Sequence, residues 1–548
     1  GQSTGSVNNI AIGNRAGQCM TDNSYFNIVM GEFAAKNMTS GNRNIIMGRK
    51  AAQGVITGNR NIFLGQYSGC TMTSGSCNIA LGCGALYGAA TVTDTIAIGR
   101  ASGKTAGGGN NNIFLGPYSG SQNGTAADND AANNIAIGYA TGCGLTDGDN
   151  NVFMGNGSGG ETTTGLANVM IGNYAGSKHI SGSENTYISH CAGKCMCSGS
   201  ANIAIGHQAL QGSSSVNANS GSNNVAIGKG AGCVITSGGN NILIGQAAGD
   251  ALTTGGGAVA IGQGALSAED TKSYAVAIGY NALTVQNGDW DNNVAVGKEA
   301  GASVTNATEN VFMGYEAGKG VTTGDANVAI GALTLAATTT ADNNVVIGGD
   351  AGRNNTGGSN VIIGKAAGDA SGDGEQNVFV GASAGGAVTN GDGNTFLGKS
   401  AGDAVTTGCC NIVIGQGADV ASATGNIQLA IGINANNWIT GDSSYTVCLA
   451  NSTAIKAVNS GGIFCATCFK GDGGALTNVG SASTNAWAQD SEANLVAGTG
   501  AGLARDADTF RNIFIGQNTG RFTNSGDDNI YLGEDAGKCN TSGGKNIF

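Results

Sequence analysis

Few residues of this chain have types and spacings that could perform chemistry. Histidine is the side chain best suited to proton transfer near neutral pH. The three histidines, His179, His190 and His207, lie in different parts of the sequence, and no Ser or Asp recurs beside them. Isolated histidines of this kind are typical of a protein surface. We therefore expect no catalytic residues and predict that the protein is not an enzyme.

Cysteines give only a weak pattern for metal or redox chemistry. Cys465 and Cys468 have the CxxC spacing of zinc and redox sites, but no second pair accompanies them. The 15 cysteines otherwise show no regular spacing. We interpret them as small residues that fill tight positions, rather than as a disulfide framework.

Three acidic runs, 127–130 (ADND), 147–150 (DGDN) and 288–292 (GDWDN), could offer oxygen ligands to Ca²⁺. None of them matches the EF-hand or the nonapeptide Ca²⁺ repeat. The glycine-rich stretch 103–110 (GKTAGGGN) lacks the order of a phosphate-binding loop. We expect no cofactor and interpret these segments as turns, with Ca²⁺ as the alternative left open.

Composition narrows the class of protein. The 548 residues include 99 Gly but a single Pro, and no G-X-Y period suggests collagen. The net charge of −12 is thinly spread without a basic cluster, which argues against nucleic acid or an anionic membrane as partner. No stretch approaches the length of a membrane-spanning helix. Regular apolar spacing excludes disorder.

The elements that would position any site come from an internal repeat. Its consensus is N-[IV]-x-[ILMV]-G-x-x-A-G-x-x-x-T-[TS]-G-x-x, and it recurs in steps of about 17 residues from Asn27 to Gln428. Two steps, from 112 to 134 and from 202 to 224, carry five extra residues. An earlier copy begins at Asn9, a degraded copy lies near Thr446, and further copies begin at 512, 529 and 546.

Each repeat reads as one buried strand followed by tight turns. A short apolar run that ends in Gly indicates a strand, and the later AG and TTG steps allow sharp corners. A unit this short suits one coil of a parallel β-solenoid (β-roll), so the fold class is all-β. About 26 coils would form a rod of roughly 125 Å, with the first Asn of each coil stacked in a ladder. The residues chosen to represent this structural repeat are Asn61, Ile62, Phe63, Leu64, Gly65, Asn224, Val225, Ile227, Gly228, Asn394, Phe396 and Gly398.

The strand is apolar on both faces, which points to self-association. Positions 2 and 4 of the unit share one face, and position 3 points the other way but is also apolar, as in Phe63, Phe312 and Phe396. A row of exposed apolar residues along a rod is more than a monomer normally carries. We expect other copies of the chain to cover position 3. The alternative is a second wall of the same coil.

Two segments resemble known families. NNIAIG (Asn133–Gly138), NNVAIG (Asn223–Gly228) and the following Ala231–Gly232 are similar to the head repeats of trimeric autotransporter adhesins. That resemblance implies a left-handed parallel β-roll of three chains, although the family's unit is typically shorter. FKGDGGALTNV (Phe469–Val479) is similar to a segment of phage and algal-virus tail-fibre proteins.

The repeats divide the chain into a rod over 1–450, a neck or joint over 451–511, and the start of a second rod over 512–548. Trp438 and Trp487 are expected to act as packing anchors at this joint. Both ends read as interrupted repeats, so we expect a fragment of a longer polypeptide.

Together these observations predict a structural and adhesive fibre at a virion surface or outside a cell. A viral tail or capsid fibre for host attachment is the first choice; a bacterial surface adhesin or extracellular filament subunit is the alternative. The expected partners are a homotrimer and a cell-surface glycan or protein receptor, contacted first through the longer corner loops 120–133 and 211–223. A glycan-degrading spike, or an ice-binding surface of paired threonines (163–164, 253–254, 322–323 and 406–407), are further alternatives.

Overall fold

One three-residue strand per repeat accounts for most of the regular structure. The computed structural model describes residues 8–21, 23–54, 56–121, 130–213, 219–271, 274–288, 292–444, 447–449, 488–489, 494–498, 501, 511–522 and 526–548. Within these ranges every regular element is a strand. None of the described residues forms a helix long and apolar enough to cross a membrane.

The strands are β1 (Ile10–Ile12), β2 (Ile28–Met30), β3 (Ile45–Met47), β4 (Ile62–Leu64), β5 (Ile79–Leu81), β6 (Ile96–Ile98), β7 (Ile113–Leu115), β8 (Ile135–Ile137), β9 (Val152–Met154), β10 (Val169–Ile171), β11 (Thr186–Ile188), β12 (Ile203–Ile205), β13 (Val225–Ile227), β14 (Ile242–Ile244), β15 (Val259–Ile261), β16 (Val276–Ile278), β17 (Val294–Val296), β18 (Val311–Met313), β19 (Val328–Ile330), β20 (Val345–Ile347), β21 (Val361–Ile363), β22 (Val378–Val380), β23 (Thr395–Leu397), β24 (Ile412–Ile414), β25 (Leu429–Ile433), β26 (Asn436–Gly441), β27 (Val447–Leu449), β28 (Ala488–Gln489), β29 (Leu495–Ala497), β30 (Ile513–Ile515) and β31 (Ile530–Leu532).

Strands β1 to β25 form one parallel sheet in which each strand pairs with its neighbours in sequence. The pairing is in register, so equivalent residues of successive coils face each other, as Ile62 faces Ile79 and Phe63 faces Ala80. The predicted parallel β-solenoid with a repeat of about 17 residues is therefore confirmed. Because parallel strands lie about 4.8 Å apart, 24 steps give this solenoid a length of roughly 115 Å.

Asparagines at position 1 form the predicted ladder along the inside of the solenoid. The Asn61 side chain is fully buried. Its Oδ1 accepts hydrogen bonds from the backbone N–H of Asn78 at 2.9 Å and from Asn78 Nδ2 at 3.0 Å. Its Nδ2 donates to the Gly75 carbonyl at 2.9 Å. Each ladder asparagine thus bonds adjacent coils to one another, and a buried amide left without these partners would cost about 1–3 kcal/mol.

The core lies between the strand and the turn that follows it. The middle residue of every strand from β2 to β24 is buried, and so is the equivalent Ala430 of the longer strand β25. The Phe63 ring, for example, is fully buried and packs against Gly69, where an added Cβ would lie 3.0 Å from Phe63 Cε1. The opposing wall of each core layer is therefore the AG step of the same chain.

The glycine that ends each strand is required by both conformation and space. Gly65 has φ of +140°, a region that L side chains rarely adopt, and an added Cβ would meet the carbonyl oxygen of Gly82 at 2.5 Å. The backbones of successive coils approach so closely here that a side chain is strained, and in the coils from β1 to β24 only Ser189, with φ of +117°, replaces the glycine. This close approach explains why the repeat keeps Gly at position 5.

The parallel sheet ends in a hairpin. β26 pairs antiparallel with β25, and β27 pairs antiparallel with β26. The prediction of a degraded parallel coil near Thr446 is therefore wrong, because the chain reverses direction after β25. Trp438 on β26 is 58% exposed and does not act as the packing anchor that we predicted. Trp487 lies outside the described residues.

The chain divides into two compact units, Gly1–Ile455 and Lys456–Phe548. In the second unit, β29, β30 and β31 are parallel, and β28 pairs antiparallel with β29. Asn494 Oδ1 accepts a hydrogen bond from the Asn512 backbone N–H at 2.8 Å, so the coil series includes part of the segment assigned above to the joint.

Candidate interaction surfaces

Positions 2 and 4 of the repeat form the outer face of the long sheet. In every strand from β1 to β24 these two side chains are half-buried or exposed. All of them are apolar except Thr186 and Thr395. Ile242 is 40% exposed and Ile412 is 45% exposed, although both belong to the most apolar residue types. We call this surface the apolar stripe.

This arrangement corrects our expectation that other copies of the chain cover position 3. Phe63, Phe312 and Phe396 at position 3 have no solvent exposure within a single chain. The alternative, a second wall of the same coil, is therefore right for position 3. Side chains alternate along a strand, so burying position 3 inside the coil turns positions 2 and 4 outward.

The representative repeat residues divide among these environments. Asn224 and Asn394 are fully buried in the ladder, like Asn61. Val225 and Ile227 lie on the apolar stripe, as do Ile62 and Leu64, and all four are half-buried. Gly228 and Gly398 end their strands with φ of +130° and +136°.

The apolar stripe is larger than a monomer usually exposes. It is about 115 Å long, and residues two apart on one strand are separated by about 7 Å. The strip is thus about 800 Å² in area, whereas the largest apolar patch of a typical monomer covers about 300–600 Å². This geometry suits burial against another extended surface.

A second polar ladder, which we did not predict, runs along the corner two residues before the asparagine ladder. Asn42 Oδ1 accepts the backbone N–H of Tyr25 at 2.6 Å, and Asn59 Oδ1 accepts that of Asn42 at 2.8 Å. Asp325 and Asp342 fill the same role in later coils. The recurrent G-[DNS]-x-N pattern was its signal in the sequence.

One of the three acidic runs, 147–150, contributes to this ladder. Asp149 Oδ1, in the run 147–150, accepts the backbone N–H of Ala132 at 2.7 Å. Residues 127–129 and 289–291 of the other two runs lie outside the described residues. Among the described residues, no group of three His, Cys, Asp or Glu side chains could hold a metal ion. Parts of the longer corner loops, 122–129 and 214–218, likewise lie outside the described residues.

His179 is not a surface residue, contrary to our expectation. It is fully buried, with Nδ1 2.6 Å from the Met196 carbonyl oxygen and Nε2 2.8 Å from the Gly182 carbonyl oxygen. Burial lowers the pKa of His179, although these two carbonyl groups act in the opposite direction. His190 and His207 stack on each other with ring centroids 5.1 Å apart. His179 thus fills the core position that aliphatic residues fill in other coils.

The described cysteines are free thiols, and several fill tight positions as expected. Burial raises the pKa of the Cys143 and Cys233 thiols. A raised thiol pKa leaves less of the reactive thiolate near neutral pH. Cys465 and Cys468 lie outside the described residues.

The paired threonines take part in hydrogen bonding between coils. Thr163 Oγ1 donates to the Ile180 carbonyl at 3.1 Å, and Thr322 Oγ1 donates to the Thr339 carbonyl at 2.9 Å. Thr253 and Thr406 make the equivalent bonds to the next coil. The first hydroxyl of each pair therefore stabilises the stack of coils.

With this geometry established, sequence comparison adds no further assignment. The chain matches no family model and no curated protein sequence.

Proposed function

We propose that this chain is the rod of a structural, adhesive fibre that assembles from copies of itself. The observation that supports the proposal is the apolar stripe, which follows the solenoid through 24 consecutive strands. A continuous stripe matches a second extended surface of the same length. Another copy of this chain provides such a surface, with the same spacing between coils.

We propose a trimer as the assembly. Each chain contributes one apolar face two side chains wide, and three such faces around an axis can enclose a dry central core. The resemblance to trimeric autotransporter heads supports the same number of chains. Stacked coils with an internal asparagine ladder and a second polar ladder at the corner would make this assembly stiff, because each coil is bonded to the next.

The fibre would hold a binding region away from a surface and contact a glycan or protein receptor through its corners. We propose a location outside the cell or on a virion, with a viral tail or capsid fibre as the first choice because of the Phe469–Val479 segment. A bacterial surface adhesin is the alternative on the basis of the head-like repeats. The proposed role requires no enzyme activity, nucleic acid or cofactor.

Light scattering of the full chain tests the assembly. We expect a molar mass of about three times the 53.7 kDa of one chain. The double variant Ile242→Glu, Ile412→Glu should dissociate, because it places carboxylates in a buried apolar interface. Asn156→Glu with Gln416→Glu is the matched control, since it adds the same charge at two exposed corner positions.

A monomeric native chain would overturn the fibre proposal, and a stable dimer would overturn the trimer. Reducing-sugar release from a polysaccharide would favour the glycan-degrading alternative. Thermal hysteresis would favour ice binding.

A further inference from the structure

Charge is distributed unevenly along the first solenoid. Residues 1–121 contain eight Lys or Arg and three Asp or Glu, whereas residues 122–548 contain 16 and 33. The first six coils, which end before Asn112, therefore carry a net charge of +5 in a chain whose total is −12. The expectation of a thinly spread charge is wrong for these coils.

Most of these cations lie along one corner of the solenoid, just after the strands. The residues that follow the strand-ending glycine stack from coil to coil through backbone hydrogen bonds. Lys50 N–H donates to the Glu32 carbonyl at 2.8 Å, and Tyr67 N–H donates to the Arg49 carbonyl at 3.0 Å. Stacking of the coils therefore places on one corner the cations of coils 1, 2, 3 and 6, together with Glu32 of coil 2, whereas coils 4 and 5 contribute no cation. We call the following set the cationic ridge: Arg15, Lys36, Arg49, Lys50, Arg100 and Lys104.

Aromatic rings of neighbouring coils hold several of these cations in place. The guanidinium carbon of Arg100 lies 4.7 Å from the ring centroid of Tyr118. That of Arg49 lies 5.4 Å from the ring centroid of Tyr67. A cation over an aromatic face is attracted to it, and its side chain keeps fewer conformations. Arg49 and Arg100 are both exposed, although Arg49 Nη2 also donates a hydrogen bond to the Tyr67 hydroxyl at 3.2 Å.

None of the six ridge cations forms an ion pair with a described residue. The same corner of later coils is different. Lys319 Nζ lies 2.7 Å from Glu299 Oε2 and 3.2 Å from Glu316 Oε1, and Lys298 Nζ lies 3.4 Å from Glu299 Oε1. Later coils thus neutralise some of their cations by ion pairs, whereas the six ridge cations make no such pair with a described residue.

We propose that the cationic ridge binds an acidic polysaccharide, one that carries carboxylate or sulfate groups at regular intervals. This inference rests on the proposed fibre function, because it names the receptor class that the rod would contact. Guanidinium groups pair with two oxygens of a carboxylate or sulfate at once. At about 4.8 Å per coil, the cations of coils 1 to 3 span about 10 Å and those of coil 6 lie about 14 Å further along, so a linear polymer lying along the rod can meet both groups.

A polysaccharide fits this surface better than a nucleic acid. Single-stranded nucleic acids are held largely by stacking of their bases on aromatic faces. At the ridge, cations already cover the faces of Tyr67 and Tyr118. A sugar polymer needs only the fixed positive groups, which the ridge supplies.

Binding of the full chain to immobilised heparin and to polygalacturonate tests the proposal, with dextran as the uncharged control. The two acidic polymers distinguish sulfate from carboxylate recognition. We expect binding to at least one of them at about 0.15 M salt, and weaker binding at higher salt. The triple variant Arg15→Gln, Arg49→Gln, Arg100→Gln should bind about tenfold more weakly. Lys298→Gln with Lys365→Gln and Lys399→Gln removes the same charge from the same corner of later coils, and it should change affinity less than about twofold.

Three results would overturn the proposal: no binding to either acidic polymer, equal losses in both triple variants, or tighter binding to single-stranded DNA than to both polysaccharides. The molar mass of each sample, measured in parallel, separates this proposal from the fibre proposal. A chain that assembles but ignores both polymers contradicts only the ridge, and a monomer that binds them contradicts only the fibre.

Discussion

Replacing Asn224 by aspartate changes one NH₂ group into an oxygen while keeping the size of the side chain. In the native ladder, Asn224 Nδ2 donates to Asn202 Oδ1 at 3.1 Å and to the Gly238 carbonyl at 2.9 Å. Asn224 Oδ1 accepts from the backbone N–H of Asn241 at 3.1 Å and from its Nδ2 at 2.9 Å. The Asn224→Asp carboxylate would keep both accepted bonds but would place its second oxygen against two other acceptors.

The resulting penalty should depend on pH. Burial and the two facing oxygens disfavour the charged form, so the pKa of the new carboxyl in the folded chain rises above its unfolded value. Below about pH 4 the group is protonated in both states and can donate one of the two lost bonds, which limits the cost to about 1 kcal/mol. Each pH unit above pH 4 destabilises the folded coil by about 1.4 kcal/mol more, until the pH reaches the pKa of the carboxyl in the folded chain. If that pKa exceeds 7, about 4 kcal/mol is added by pH 7.

Hydrogen exchange measured by mass spectrometry on the full chain is the appropriate assay, because a long repeat array opens locally. We expect peptides that cover β13 and β14 to lose protection in Asn224→Asp far more at pH 7 than at pH 4, after correction for intrinsic exchange rates. Asn224→Ala is the control: it should cost about 2–3 kcal/mol at both pH values, because it removes the bonds without adding charge. Equal losses at pH 4 and pH 7 in the aspartate variant would refute the reasoning.

Three further changes can be measured by the same exchange assay. Gly228→Ala should lower the free energy of local opening by about 3 kcal/mol or more, because the added Cβ would lie 2.5 Å from the Gly245 carbonyl oxygen of the next coil. Gly230 has φ of +69° and no atom within 4 Å of an added Cβ, so Gly230→Ala should lower it by only about 1 kcal/mol. Phe312→Ala should cost about 3–5 kcal/mol by leaving a cavity in the core, and Phe312→Leu should cost less; equal effects would contradict the tight packing. Protection around His179 should fall as the pH drops below about 6.5, because the unfolded chain binds a proton that the folded coil resists, and His179→Gln should abolish this dependence.

The repeat predicted the coil and the ladder, but not which strand face is inside. Position 1 is a polar residue beside a buried strand, so its amide needs hydrogen-bond partners inside the solenoid. Because the asparagine recurs once per coil, the asparagines of the coils above and below are the nearest such partners. Alternation alone cannot orient a strand with apolar residues on both faces. The sequence did contain a further signal: Phe63 faces Gly69 in the same coil, whereas Ala80 is followed at the equivalent position by Leu86. Leucine at that position also accompanies alanine at position 3 in the coils of Ala204, Ala260, Ala277 and Ala329.

Leucine at position 9 thus requires a small residue at position 3, but the space is shared between coils: Ala97 is followed by Gly103, where an added Cβ would meet Phe114 and Leu86 of the neighbouring coils at 2.8 and 2.9 Å. The cationic ridge was missed for a different reason. Its members lie in four different coils, and only the stacking of the coils places them on one corner. A net charge averaged over the whole chain hides a local group of this kind.

The hairpin after β25 determines what can happen at that end of the first solenoid. An exposed edge strand offers unpaired N–H and C=O groups and can template the addition of another chain. Here β26 occupies that edge and runs in the opposite direction, so it does not continue the parallel register. A second molecule cannot add a further parallel coil at β25. The hairpin therefore closes the edge of β25 itself against amyloid-like addition of a further parallel strand.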